Sequence, residues 1–371
     1  MITQKTIIVF LFSLFLYMPC SFSQHLNPGF DKEEYRQLMY LSARTGALDK
    51  KYLSDIPAPK AFTLHYRSPV MGLDNLWELW TDNKSTIAIS IRGTTAKIES
   101  WTSNFYAAMV PASGEIALSE KDIFQYQLAA NPKAAVHVGW LLSMAYLSKD
   151  ILPKLDSCYR AGIRDILIIG HSQGGAISFL LTSYLHSIFK QKINTDDVRI
   201  KTYCSAGPKP GNLYFAYEYE SLTQNGWAFN VVNSADWVPE TPMSIQTLYD
   251  FNTTNPFANA KPLIRKQPFM KRVAFMHVFN RLDKPTRKAQ RNYEKYLGRM
   301  VSKQVNKTLK DFVPPTYVSS NHYVRTGATI VLTPDTGYYL LYPDDKKNIF
   351  VHHFHKPYLY LLDKYGIAQI Q

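Results

Sequence analysis

Residues 165–176 read Asp165-Ile-Leu-Ile-Ile-Gly-His-Ser-Gln-Gly-Gly-Ala176: an unbroken aliphatic run, then glycines spaced around a serine. A short continuous apolar run of this kind is the pattern of a strand covered on both faces. Gly170-x-Ser172-x-Gly174 follows at once, and residues 173–189 have the composition of a helix. The spacing has a steric cause. In a very tight strand-to-helix turn, side chains two residues before and after the serine would collide, so glycine stands at both places. The serine is left in a strained conformation, its hydroxyl exposed at the positive end of the following helix. Gly175 adds room for close packing, and Ser172 is the candidate nucleophile.

Elements on either side of this turn fit an alternating arrangement. Residues 31–46 form a capped amphipathic pattern ending at Gly46, and apolar alternation marks strands at 62–66 and 76–80. A buried strand is expected at 86–91, a helix after Gly139 disturbed at Pro153, and strands at 200–204 and 229–232. Strands alternating with helices imply a mainly parallel sheet flanked by helices. No linker divides the chain, so residues 24–371 read as one domain, with 255–320 as a basic insertion or cap.

A serine near neutral pH needs a base to take its proton and a carboxylate to fix the base's tautomer. On folds built around such a turn the partners follow in the order Ser, Asp or Glu, His. The search is therefore confined to residues beyond 172. Candidate bases after Asp236 are His277, His322, His352, His353 and His355.

With these residues in view, the sequence resembles the class 3 lipase family of α/β-hydrolases. Four stretches carry the resemblance, in family order: Ile91-Arg-Gly-Thr94, Val136-His-Val-Gly-Trp140, Gly170-His-Ser-Gln-Gly-Gly-Ala176 and Val231-Val-Asn-Ser-Ala-Asp-Trp-Val-Pro239. They span roughly residues 30 to 240, and the likeness fades after about 245. The resemblance implies an α/β-hydrolase fold and a carboxylic ester hydrolase that acts on acylglycerols or phospholipids. It puts the triad aspartate at Asp236, with Glu240 the nearest alternative carboxylate. Thr94 falls at the oxyanion position, and the N–H of Gln173 supplies the second donor; many relatives carry an apolar residue where Gln173 stands. His353 best fits the plant-type His-x-Leu-x-x-Tyr-Leu spacing, with Tyr358 and Leu359 in place, whereas His355 fits a fungal His-x-x-Tyr spacing. His137 is structural in the family. Residues 95–106, with Ile98, Trp101 and Phe105 as an apolar face, correspond to its mobile lid. The rival functions are a carboxylesterase acting on small soluble esters and a catalytically inert fold that binds lipid or envelope components.

Charge and the termini bound the setting. The formal net charge is +13, yet between residues 261 and 311 there are fifteen Lys or Arg against three acidic residues, so the remainder is close to neutral. Ala289, Tyr293, Tyr296, Leu297, Met300, Val301, Val305 and Leu309 recur at helical steps there. The segment reads either as a solvated basic helix clamped by that stripe or as a surface for anionic membranes or acidic polymers. No nucleic-acid motif accompanies it. Lys5, the apolar run at 6–19 and Ser21-Phe22-Ser23 read as a signal peptide over residues 1–23, implying secretion or an envelope location. Cys20 raises lipid anchoring, against which Met18 and Pro19 stand where small residues are wanted. Cys158 and Cys204 are too few for a disulfide framework and read as inert. Nothing in the residues calls for a metal or organic cofactor, and no oligomeric state is legible.

Overall fold

The computed structural model describes residues 26–46, 49–192 and 198–366; residues 1–23, expected as a signal peptide and including Cys20, lie outside the described residues. Strands β1 (Thr63–Arg67), β2 (Trp77–Thr81), β3 (Thr86–Ile91), β4 (Asp165–His171), β5 (Arg199–Ser205), β6 (Ala228–Asn233) and β7 (Ala328–Leu332) make one seven-stranded sheet. Their spatial order is their chain order. β1 and β2, and β2 and β3, pair antiparallel, and every pairing from β3 to β7 is parallel. The sheet is therefore mixed but mostly parallel, as the alternation of strands and helices implies.

Period-two alternation explains why both faces are covered. Ile87, Ile89, Ile91, Ile166 and Ile168 point to one face, against apolar residues of α3 (Val138–Arg160), α4 (Gln173–Lys192) and α5 (Leu213–Leu222). Ala88, Leu167, Ile169, Tyr203 and Val231 point to the other. Right-handed parallel crossovers between successive neighbours all fall on one face. The opposite face must therefore be covered from the ends of the chain. α1 (Lys32–Arg44) does this with Tyr35, Leu38 and Met39, and a helix at His355–Lys364 does it with Tyr358, Leu361 and Leu362. Asp31 caps α1, its carboxylate accepting from the N–H groups of Glu33 and Glu34 at 2.9 Å each. Full burial of a side chain such as Leu38 contributes about 2 kcal/mol.

The elements expected from the alternation pattern are present within a few residues, and α3 runs through Pro153 as an unbroken helix. β7 was not legible in the sequence, because its residues are only partly buried. Cys158 and Cys204 are both unpaired. The connection from β6 to β7 holds α6 (Ala260–Arg265), α7 (Phe269–Glu294), a π-helical stretch at Lys295–Met300 and α8 (Val301–Thr308). Tyr293 and Val305 bury that insertion's C-terminal half against the body. The clamped-helix reading holds for this half alone. Phe269, Met270, Val273 and Leu282, all on α7, are exposed.

A very tight backbone crossing lies at the turn between β4 and α4. A Cβ on Gly170 would sit 2.1 Å from the Gly174 carbonyl oxygen, and one on Gly174 would sit 2.3 Å from the Ile91 carbonyl oxygen. Both obstacles are backbone and cannot swing aside. Gly174→Ala is therefore expected to cost about 3 kcal/mol or more and to lower the thermal midpoint, read by circular dichroism. An unchanged midpoint would refute this account of the crossing.

Candidate active site

The turn holds Ser172 at φ +62°, a left-handed conformation that non-glycine residues avoid. Its N–H donates to the Ser205 carbonyl at 2.9 Å, which ties the turn to the end of β5. Among the described residues Ser172 Oγ has no hydrogen-bond partner, and the residue borders a cavity of about 520 Å³.

His353 borders the same cavity, on the turn that leads into the last helix. Its Nδ1 lies 2.7 Å from Asp236 Oδ2. Nδ1 must carry the proton to donate to a carboxylate, which leaves Nε2 unprotonated and able to accept. No hydrogen bond joins Nε2 to Ser172 Oγ, although both residues line the cavity. Asp236 is buried just beyond β6 and is fully engaged. Oδ2 also accepts from the Tyr358 hydroxyl at 2.8 Å, and Oδ1 accepts from the Val238 N–H at 3.0 Å. Glu240 is exposed.

The backbone around His353 is fixed from two strand ends. His171 Nε2 donates to the His353 carbonyl at 2.7 Å, and Asn233 Nδ2 donates to the His352 carbonyl at 3.0 Å. His171 Nδ1 then accepts from Ser205 Oγ at 3.0 Å, so the residue before the nucleophile also sets the height of the imidazole. Burial and the two neighbouring imidazoles hold His171 well below the usual histidine range, in the neutral form these bonds require.

The other candidate bases are occupied elsewhere. His355 has Nδ1 at 2.7 Å from the Tyr52 hydroxyl and Nε2 at 3.1 Å from Ser42 Oγ, with its ring stacked on His171. His352 is held by the Tyr338 hydroxyl at 2.8 Å and Asp344 Oδ1 at 3.0 Å. His322 does not border the cavity, and His277 is exposed on α7.

Thr94 stands in the loop after β3, where Gly93 passes so close that a Cβ would lie 2.9 Å from the His171 carbonyl oxygen. Among the described residues neither the Thr94 N–H nor the Gln173 N–H has an acceptor. The Thr94 hydroxyl is committed: it donates to Gln173 Oε1 at 3.3 Å and accepts from Asn104 Nδ2 at 2.9 Å. Ser100 Oγ donates to the same Gln173 oxygen at 3.2 Å. Asn104 Oδ1 in turn accepts from Trp140 Nε1 at 3.0 Å. Sequence reasoning missed Ser100 and Asn104. The only signal was the amide at Gln173, a polar group in a position where burial demands partners.

These bonds bear on the expected lid. α2 (Ile98–Phe105) turns Trp101 and Phe105 to the cavity and leaves Ile98 exposed. Its opposite face is fastened to α3, with Ser103 Oγ 2.9 Å from Ser143 Oγ. Gly139 lies so close that a Cβ there would stand 2.0 Å from the Ser103 carbonyl oxygen. A swing of the whole helix would orphan these buried polar groups, so here the segment is a wall of the cavity.

His137 is the N-cap of α3, its Nδ1 accepting from the Trp140 N–H at 3.3 Å, with its ring stacked on Trp140 at 3.6 Å. Burial pushes its pKa down from 6.5 to about 3. The unfolded chain binds this proton below about pH 6.5 and the folded chain does not. Stability from this group is therefore complete above that pH and is lost as pH falls toward 3. His137→Asn keeps a cap but does not titrate. The gap in thermal midpoint between wild type and His137→Asn should narrow on going from neutral pH to mild acid. A gap independent of pH would refute the assignment.

Residues 88–245 match the class 3 lipase family model. Among solved structures the chain is similar to the Rhizomucor miehei triacylglyceride lipase, at 19% identity and TM-score 0.41, covering 58% of this chain and 77% of that one. It is similar to a lipase from Rhizopus microsporus var. chinensis at 20% identity and TM-score 0.40, covering 61% and 76%. The figures for a triacylglycerol lipase from Penicillium expansum are 19%, 0.41, 60% and 78%. No curated protein matches the chain. The stretch that matches the class 3 lipase model, residues 88–245, holds Thr94, Ser172 and Asp236.

Proposed function

We propose that this chain is an exported serine lipase that cleaves the carboxylic esters of acylglycerols or phospholipids through an acyl-enzyme. The observation that carries the reading is a strained, unpartnered serine sharing one cavity with an imidazole held by a buried carboxylate. Ser172 Oγ attacks the ester carbonyl carbon while His353 Nε2 takes its proton, and Asp236 stabilises the imidazolium. The carbonyl oxygen becomes an oxyanion that receives the free N–H groups of Thr94 and Gln173. His353 then protonates the departing alcohol as its C–O bond breaks. A water, deprotonated by the same Nε2, releases the acid and restores the serine. Trp101, Phe105, Trp237, Phe350 and Phe354 line the cavity with apolar surface suited to an acyl chain.

A fluorophosphonate probe should label the wild type on Ser172 and leave Ser172→Ala unlabelled. Hydrolysis should fall about a millionfold in Ser172→Ala and about ten-thousandfold in Asp236→Asn, with long-chain esters preferred by the wild type. Labelling that survives in Ser172→Ala would refute the nucleophile. A preference for short soluble esters would make the enzyme a carboxylesterase.

Export rests on the leader pattern of residues 1–23. N-terminal sequencing of the mature protein should begin at Gln24; a chain retaining the apolar run would refute cleavage.

A further inference from the structure

The N-terminal half of α7 breaks the rule that relates a helix to its surroundings. Phe269, Met270, Val273, Phe275, Val278 and Leu282 are all exposed, Met270 to 78%. At 100° per residue they spread around the helix instead of forming one stripe. So much apolar surface left in water, interleaved with Lys271, Arg272 and Arg281, suits a boundary between lipid and water. Here about 20 Å of the helix stands outside the body, flanked by little more than α6, where Lys261 lies over the Phe279 ring.

The same stretch is strongly cationic. Residues 261–288 hold nine Lys or Arg and one acidic residue, Asp283. Asp283 is taken by Arg287 at 2.6 Å and Lys261 at 4.0 Å. Among the described residues Arg265, Lys266, Lys271, Arg272, Arg281 and Lys284 have no carboxylate partner.

We infer that α6 and the first half of α7 form a docking arm for an anionic lipid bilayer. The alternatives satisfy one property and offend the other. An acidic polymer neutralises the cations but leaves Phe269 and Met270 in water. A second copy of the arm covers the apolar groups but brings two strongly positive surfaces together. A bilayer with anionic headgroups takes the charges at its surface and the apolar side chains just beneath. The rod that carries the arm is continuous with the cavity wall: α7 passes into the π-helical stretch, and Tyr293 and Leu297 both border the cavity. Phe269 and Tyr293 are about 36 Å apart along it. The inference deepens the lipase reading, on which the purpose of docking rests, and it gives recruitment to the arm, since α2 is fastened down.

The test uses the full chain with vesicles of phosphatidylcholine, with and without phosphatidylglycerol, read by co-sedimentation. Wild type should bind the anionic vesicles alone, and added salt should release it. Lys266→Gln, Lys271→Gln and Arg272→Gln combined should weaken binding about a hundredfold. Phe269→Ser with Met270→Ser should weaken it at least about tenfold. Both variants change exposed groups and should hydrolyse a soluble short-chain ester at the wild-type rate, which also shows that they fold. The inference is overturned if wild type ignores anionic vesicles. It is equally overturned if the apolar double variant binds undiminished, or if the arm instead drives a concentration-dependent dimer without vesicle binding. Vesicle binding in this pattern by a chain that hydrolyses no ester would uphold the arm and sink the lipase reading. Hydrolysis of soluble ester without vesicle binding would do the reverse.

Discussion

Backbone crowding at the end of β4 is the constraint on which the rest of the site depends. The Ile91 carbonyl presses on Gly174 from β3, and the Gly174 carbonyl presses on Gly170, so the turn has one available path. That path forces Ser172 to φ +62° and turns its side chain out of the sheet. The β3 end that crowds the turn also leads, three residues on, to the free N–H of Thr94. One steric contact therefore sets both the nucleophile and one wall of the pocket where charge would develop.

Around the turn, buried polar groups are paired with little to spare, and the pairing fixes geometry more than it adds stability. His171 is the clearest case. One ring nitrogen holds the carbonyl of His353 and the other takes the Ser205 hydroxyl, which itself lies 2.7 Å from the Tyr35 hydroxyl. A protonated His171 could not keep the bond to Ser205 as an acceptor, so its neutrality is a condition of the arrangement. His137 plays the same part at the start of α3. Burial holds it in the uncharged form that the cap on the Trp140 N–H requires.

Much of this was legible in the sequence, for identifiable reasons. The glycine spacing around Ser172 reports a local steric need, and local needs leave local signatures. Asp236, at a strand end, and His353, ahead of a helix, were singled out by the family resemblance, since the residues alone left five histidines open. The network of Ser100, Asn104, Thr94 and Gln173 was not legible, because it joins residues up to 79 apart through side-chain bonds. β7 was missed because partial burial erases the alternation that marks a strand. In the basic insertion the apolar stripe from 289 onward left a clamp and a docking surface both open, because composition alone cannot tell an apolar side chain that is covered, as Tyr293 and Val305 are, from one that is not, as Tyr296 and Met300 are not. The distinction between the clamped and the free halves of the insertion exists only in three dimensions.

The position of the insertion follows from the sheet. β6 and β7 are adjacent and parallel, with Phe229 beside Ala328 and Val231 beside Ile330, so the ends of the connection are fixed whatever lies between. Lengthening a connection whose ends are already held costs little, since closure entropy grows only with the logarithm of length. The same connection separates Asp236 from His353, and their bond is made by strand and helix ends that the insertion does not touch. The fold can therefore carry a cationic, apolar arm between its acid and its base without disturbing either. A helix of this composition loses hydrophobic stabilisation for every side chain it leaves in water. Such a loss is tolerated where another surface recovers it, which makes the exposed half of α7 a feature to be explained by what it meets.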